Sequence, residues 1–141
     1  MSRKFFLALV RAYDAHRKAT RAAIQKENLS DGYPKVLMNL SHNPGCLQKE
    51  LAEACHVEPA TMTVLLRGMM NKGLIRKEET HVSGGKRALR IFLTEEGEAM
   101  AETANRIFED THKRALAGMT EDEVETLCRL LTKVKENLAE D

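Results

Sequence analysis

The feature that most constrains this 141-residue chain is a change of apolar period between Leu47 and Thr94. Before Gly73 the apolar side chains recur at helical spacing. Leu51, Ala52 and Cys55 share one face of a segment that starts near Gln48. After Val57 and Glu58, Pro59 suits a first helical position. Met62, Leu65, Leu66 and Met69 then form a second stripe, closed by Gly73 as a helix stop. Beyond Gly73 the helical period is lost. Residues 74–80 read as a strand, Ser83-Gly84-Gly85-Lys86 as a turn, and Leu89-Arg90-Ile91-Phe92-Leu93 as an alternating return strand. Such a chain must set two short crossing helices directly beside a two-stranded ribbon with a flexible basic tip. Ala52 supplies the small side chain that lets the helices cross closely.

The flanks are helical. Phe6, Leu9, Val10, Tyr13, Arg17 and Ile24 lie on one stripe of a helix over residues 3–28. A short helix with Val36, Leu37 and Leu40 follows Pro34 and ends at Asn43-Pro44-Gly45. Thr94 is an N-cap for a long helix reaching about Ala117, with Glu95, Glu96 and Glu98 at its positive end. After Gly118, Thr120 and Glu123 have the spacing of a capping box, and Met119 with Val124 that of a hydrophobic staple. The last helix carries Val124, Leu127, Leu131, Val134 and Leu138. The fold expected is mainly α with a two-stranded β-wing, ordered as four helices, a ribbon and two helices. The terminal helices cannot bury their stripes alone, so they are expected to pack together and against the same pair in a second copy. This divides one structural domain into a dimerisation region, residues 1–30 and 98–141, and a wing-bearing region, residues 31–97.

Composition narrows the function. Aromatic residues are only 4% of the chain, too few for a base-stacking platform. No apolar run approaches the ~20 residues that cross a bilayer, and the N-terminus reads as the start of a helix rather than a leader. Cys46, Cys55 and Cys128 are an odd set without CxxC spacing, which points to a reducing cytoplasm. The formal net charge is +1, but residues 1–46 carry +5, residues 47–93 carry +3 and residues 94–141 carry −7. Residues 67–93 alone hold seven basic and two acidic side chains. A basic stretch beside an acidic tail suits a polyanion-binding face, and equally two solvated helix faces of opposite sign.

Residues 48–72 resemble a helix-turn-helix, and the ribbon after them makes it a winged one. The string Gln48-x-Glu50-Leu51-Ala52, Pro59-Ala60-Thr61-x-Thr63, Lys72-Gly73-Leu74-Ile75-Arg76, Arg87 and Leu93-Thr94-x-x-Gly97 resembles the MarR family of bacterial transcriptional regulators. The order of flanking helices extends the likeness over nearly the whole chain. The resemblance implies a homodimeric, sequence-specific regulator of transcription, a repressor relieved by a small molecule. Its second helix-turn-helix helix would enter the major groove of double-stranded DNA, and its wing the minor groove. It implies no enzymatic activity and no cofactor. DNA contacts are then expected from Gln48, Pro59, Ala60, Thr61, Thr63, Arg67, Lys86 and Arg87. The helix start at Pro59 presents N–H groups to phosphate, and the threonines offer short hydroxyls and methyls to base edges. Glycine-flanked cations suit a narrow minor groove.

Four positions depart from the family pattern. Val64 replaces a common arginine, leaving readout to Thr61, Thr63 and Arg67. Gly85 replaces an acidic residue, so Arg87 is expected to lack that neighbour and the wing to be mobile. His56 occupies the turn-glycine position, and Glu58 the cap position. Val64, Gly85 and Glu58 also motivate an alternative, a dimeric effector- or protein-interaction module with weakened DNA contacts.

By the same resemblance, a small phenolic or carboxylate effector would enter a cleft where the first, second and fifth helices meet. Tyr13, His16, Arg17 and Tyr33 are the candidates there, with Arg17 facing the anion. The other reading makes Tyr13 and Tyr33 core aromatics and Arg17 a surface cation. The first helix has no cysteine of the kind that family members use to sense oxidants; Cys55 is expected in the core and Cys46 as the most exposed thiol. The five histidines are scattered without HxH or HxxxH pairs, so no metal site is expected. No nucleophile elbow, dinucleotide-binding or phosphate-loop motif occurs.

Overall fold

A computed structural model describes residues 1–27, 29 and 32–139. In chain order it has α1 (Ser2–Lys26), α2 (Tyr33–His42), α3 (Gln48–Cys55), α4 (Pro59–Asn71), β1 (Ile75–His81), β2 (Arg87–Leu93), α5 (Glu95–Ala115) and α6 (Glu121–Leu138). A short 3-10 turn, Ser83–Gly85, joins the strands. This is the mainly α, winged architecture expected from the period change. The long helix stops at Ala115 rather than Ala117, because Leu116 leaves helical geometry ahead of Gly118 at φ +83°. The expected end of the first helix, Asn28, lies outside the described residues.

The core belongs to the middle of the chain. Val36, Leu37 and Leu40 from α2, Leu51 and Cys55 from α3, and Met62, Leu66 and Met69 from α4 are fully or almost fully buried. Ile75 and Ile91 join them from the ribbon, and Ala101 and Ala104 close the cluster from α5. Small side chains on α5 let α2 approach it closely. The antiparallel ribbon pairs Ile75 with Leu93 and His81 with Arg87, so its base is apolar and its tip polar.

The junction from ribbon to α5 is built by Thr94. Its hydroxyl accepts from the Gly97 amide at 3.1 Å and donates to the Gly73 carbonyl at 2.6 Å. Gly97 is buried against the backbone; a Cβ there would stand 1.9 Å from the Leu74 carbonyl oxygen. At the other end, Thr120 and Glu123 form the expected reciprocal capping box of α6.

The end helices leave apolar surface uncovered. On α1, Phe5, Phe6, Leu9, Val10 and Tyr13 are exposed, and α6 buries no residue while exposing Leu127, Leu130, Leu131 and Leu138. α1 packs chiefly on α5, where Ile24 and Ile107 form a small second cluster with Leu29.

Candidate nucleic-acid interface and the adjoining cavity

The two helices α3 and α4 are joined by a tight turn that depends on His56. It takes φ +54°, ψ +47°, the left-handed conformation that glycine adopts most easily. The Val57 amide then bonds back to the Ala52 carbonyl at 3.0 Å. Pro59 opens α4, and Glu58 precedes it in extended conformation without a side-chain cap bond.

With Met62, Leu66 and Met69 in the core, α4 presents its other face to solvent: Thr61, Thr63, Val64 and Arg67 are all exposed. Val64 is 63% exposed, an apolar side chain in the middle of that polar face. Thr63 is held rather than free. Its hydroxyl donates to the Pro59 carbonyl at 3.0 Å and lies 3.3 Å from the Gln48 side-chain amide. Gln48 thereby ties the start of α3 to the exposed face of α4. Pro59 and Ala60 sit exposed at the α4 N-terminus, where unpaired backbone N–H groups face outward.

Lys86 and Arg87 stand exposed at the ribbon tip. Gly84 and Gly85 both take positive φ, +82° and +73°, with open space around them. The expectation that Arg87 lacks an acidic neighbour is corrected by the strand register. Arg87 Nε lies 2.7 Å from Glu79 Oε1 across the ribbon, so the opposite strand supplies the carboxylate that position 85 does not. Two other ribbon cations have structural partners. Arg90 donates to the Gly45 carbonyl at 2.9 Å, and Arg76 stacks 4.4 Å over the Phe92 ring while pairing with Glu78.

A cavity of about 310 Å³ lies between α1, α2 and α5. Tyr13, His16 and Arg17 line it, together with Thr20, Lys35 and Phe108. Tyr33 does not. It is 8% exposed, with Lys72 Nζ 5.1 Å over its ring and its hydroxyl against Gly68 of α4. Sequence position missed Thr20, Lys35 and Phe108, which come together only when α1 crosses α2 and α5. Arg17 is anchored to Asp14 at 3.3 Å, and hydrogen bonds from Lys18 and then Arg17 hold that carboxyl below the ordinary range. His16 reaches across to α5, its Nε2 lying 3.0 Å from Nε2 of His112 with the rings stacked.

Among the thiols the exposed one is Cys128, not Cys46. The backbone of Cys46 bridges to β2 through Ile91, which tucks its side chain against the core. Burial pushes both the Cys46 and Cys55 thiols above their usual range. No group of three or more metal-ligating side chains occurs among the described residues. No described helix is long and apolar enough to cross a membrane.

A MarR family model matches residues 28–87 of the chain. HTH-type transcriptional regulator YybA of Bacillus subtilis, itself uncharacterized, is 30% identical over 114 residues, which is 81% of this chain and 75% of that protein. HTH-type transcriptional regulator BilQ of Clostridium symbiosum is 27% identical over 81% of this chain and 78% of its own. A solved structure described as a MarR family transcriptional regulator from Listeria monocytogenes, complexed with a 26mer DNA, superposes with a TM-score of 0.79. It is 25% identical, with 98% of this chain and 88% of that one covered.

Proposed function

The chain belongs to the MarR family of transcriptional regulators, and from that premise we propose that it acts as a homodimeric, sequence-specific DNA-binding repressor released by a small anionic effector. One observation carries the DNA reading. The helix that follows the His56 turn turns Thr61, Thr63 and Arg67 to solvent, and a ribbon ending in Lys86 and Arg87 flanks the same motif. Arg67 is long enough to reach a guanine edge or a phosphate, the two threonines contact base edges, and the α4 N-terminus at Pro59 and Ala60 takes a phosphate. Gln48 fixes Thr63 for that role. The glycine tip lets Lys86 and Arg87 settle into a narrow minor groove.

Dimerisation is supported by the uncovered stripes of α1 and α6, contiguous apolar surface that water disfavours. In this reading residues 1–30 and 98–141 join two copies, residues 31–97 read DNA, and the protein works in the cytoplasm. A compact dimer seated on a promoter blocks polymerase by occupancy. The cavity under α1, with Arg17 and Tyr13 on its wall, gives a phenolic or carboxylate molecule a place to alter the spacing of the two arms.

The test is a selection of bound duplexes from fragments of the source genome, followed by affinity titration across salt. Enriched inverted repeats and a steep fall in affinity with salt support the proposal. The two Thr61-bearing helices of the dimer should stand about 34 Å apart, one helical turn of DNA. Absence of any enriched duplex, with recovery of a protein partner instead, overturns it.

A further inference from the structure

The cavity wall and the helix-turn-helix turn share one side chain. Lys35 lies on α2 beside Pro34 and lines the cavity together with Thr20, Arg17 and Phe108. Its ammonium also donates to the carbonyl of Cys55 at 3.0 Å. Cys55 is the last residue of α3, so that carbonyl is one of the helix-end acceptors that no backbone amide of the helix can satisfy. The next residue, His56, is the only non-glycine at positive φ among the described residues. Lys35 therefore holds the α3 terminus at the point where the chain leaves it for the α4 helix. Asn39, one turn further along α2, supports the same spot, its amide lying 3.4 Å from Cys55 Sγ.

The rest of the cavity wall is apolar and cationic. Ile24, Pro34 and Phe108 supply apolar wall, and Arg17 and Lys35 supply positive charge. An aromatic carboxylate matches both features: its ring meets the apolar wall, and its oxygens take a cation.

We propose that Lys35 is both the anion contact of this cavity and the latch on the α3–α4 turn, so that an anionic occupant and the ordered turn compete for one ammonium. The inference rests on the effector reading given above and names how that site is heard by the DNA-reading helix. A charge-assisted bond to a carboxylate is stronger than one to a neutral carbonyl, so the ammonium follows the anion. The Cys55 carbonyl then loses its donor and the His56 turn loses the contact that fixes it to α2. The coupling is reciprocal: DNA that requires the latched turn weakens binding of the anion by the same factor that the anion weakens binding of DNA.

The experiment uses the full chain, a selected operator duplex, benzoate as probe and benzyl alcohol as its uncharged counterpart. Calorimetry measures probe binding, and fluorescence anisotropy measures DNA binding. Benzoate is expected to bind, to lower DNA affinity about tenfold, and to be weakened equally by the duplex; benzyl alcohol is expected to leave DNA affinity unchanged. Lys35→Met should bind DNA about tenfold more weakly without any probe and should no longer respond to benzoate. Lys35→Arg, which keeps a cationic donor, should keep the response. Hydrogen exchange at the Val57 amide should speed up in Lys35→Met while exchange in the α2 core stays slow, which separates an unlatched turn from a misfolded chain. If benzoate binds and still shifts DNA affinity in Lys35→Met as in the unmodified chain, the latch is overturned and the effector site stands. Failure of benzoate to bind the unmodified chain overturns the effector reading and the competition together.

Discussion

At the scale of single residues, charge at the exposed face separates into groups that are held and groups that are free to meet a ligand. Arg90 and Arg76 have structural tasks on the ribbon, the first anchoring the Gly45 loop and the second covering Phe92. Arg87 is oriented by Glu79 but remains exposed. Replacing Arg87 by Ala is expected to weaken binding to all duplexes by a similar factor and to lower the salt slope by about one unit, read by titration at several salt concentrations. Arg67→Ala is expected to lower affinity with a loss of sequence preference, read by competition between selected and scrambled duplexes. The thiols give a separate check. Burial and a raised thiol pKa both keep Cys55 out of reach of alkylating reagents, so iodoacetamide should modify it only as fast as the chain unfolds. Little of this partnering was legible in the linear sequence. Gly85 suggests an Arg87 without an acidic neighbour, and only the antiparallel register brings Glu79 within reach from the other strand.

At the scale of elements, the helix ends follow local chemistry. The capping box of α6, the proline starts of α2 and α4 and the Thr94 cap were readable because each depends on residues within one turn. Thr94 also bonds across to Gly73, which no local pattern indicates. Thr94→Ala should therefore lose about 1 kcal/mol for the cap and a further increment for the second bond, measured by urea unfolding. Gly97 is the harsher position. A methyl group there meets the Leu74 carbonyl oxygen at 1.9 Å, so α5 or the ribbon must shift. Gly97→Ala should destabilise the chain by about 1–3 kcal/mol in the same assay. Tyr33 shows the limit of position along a helix as a guide. Its placement near the cleft was legible, but its side chain turns to Gly68 of α4 and to Lys72 just past that helix, and Lys35, two residues on, reaches the cavity instead.

At the scale of the whole molecule, the exposed apolar stripes of α1 and α6 are the surface that a second copy covers in the proposed dimer. Leu131→Glu, on a helix that buries nothing in the single chain, should leave the fold of residues 33–115 intact and shift the protein to monomer in sedimentation velocity, with loss of operator affinity. A dimer of unchanged stability would place the contact elsewhere on the surface.

The sequence by itself determined the kind and order of the elements, the winged motif, and the identity of the exposed side chains on α4. These depend on period, caps and turns, which are interactions within a few residues of chain. The tertiary structure alone decided which groups from distant segments meet: Glu79 with Arg87, Tyr33 with Gly68, His16 with His112, and Lys35 with both the cavity and Cys55. Such pairings are set by helix crossings and strand register, and a side chain's neighbours across a crossing leave no spacing in the sequence from which to read them.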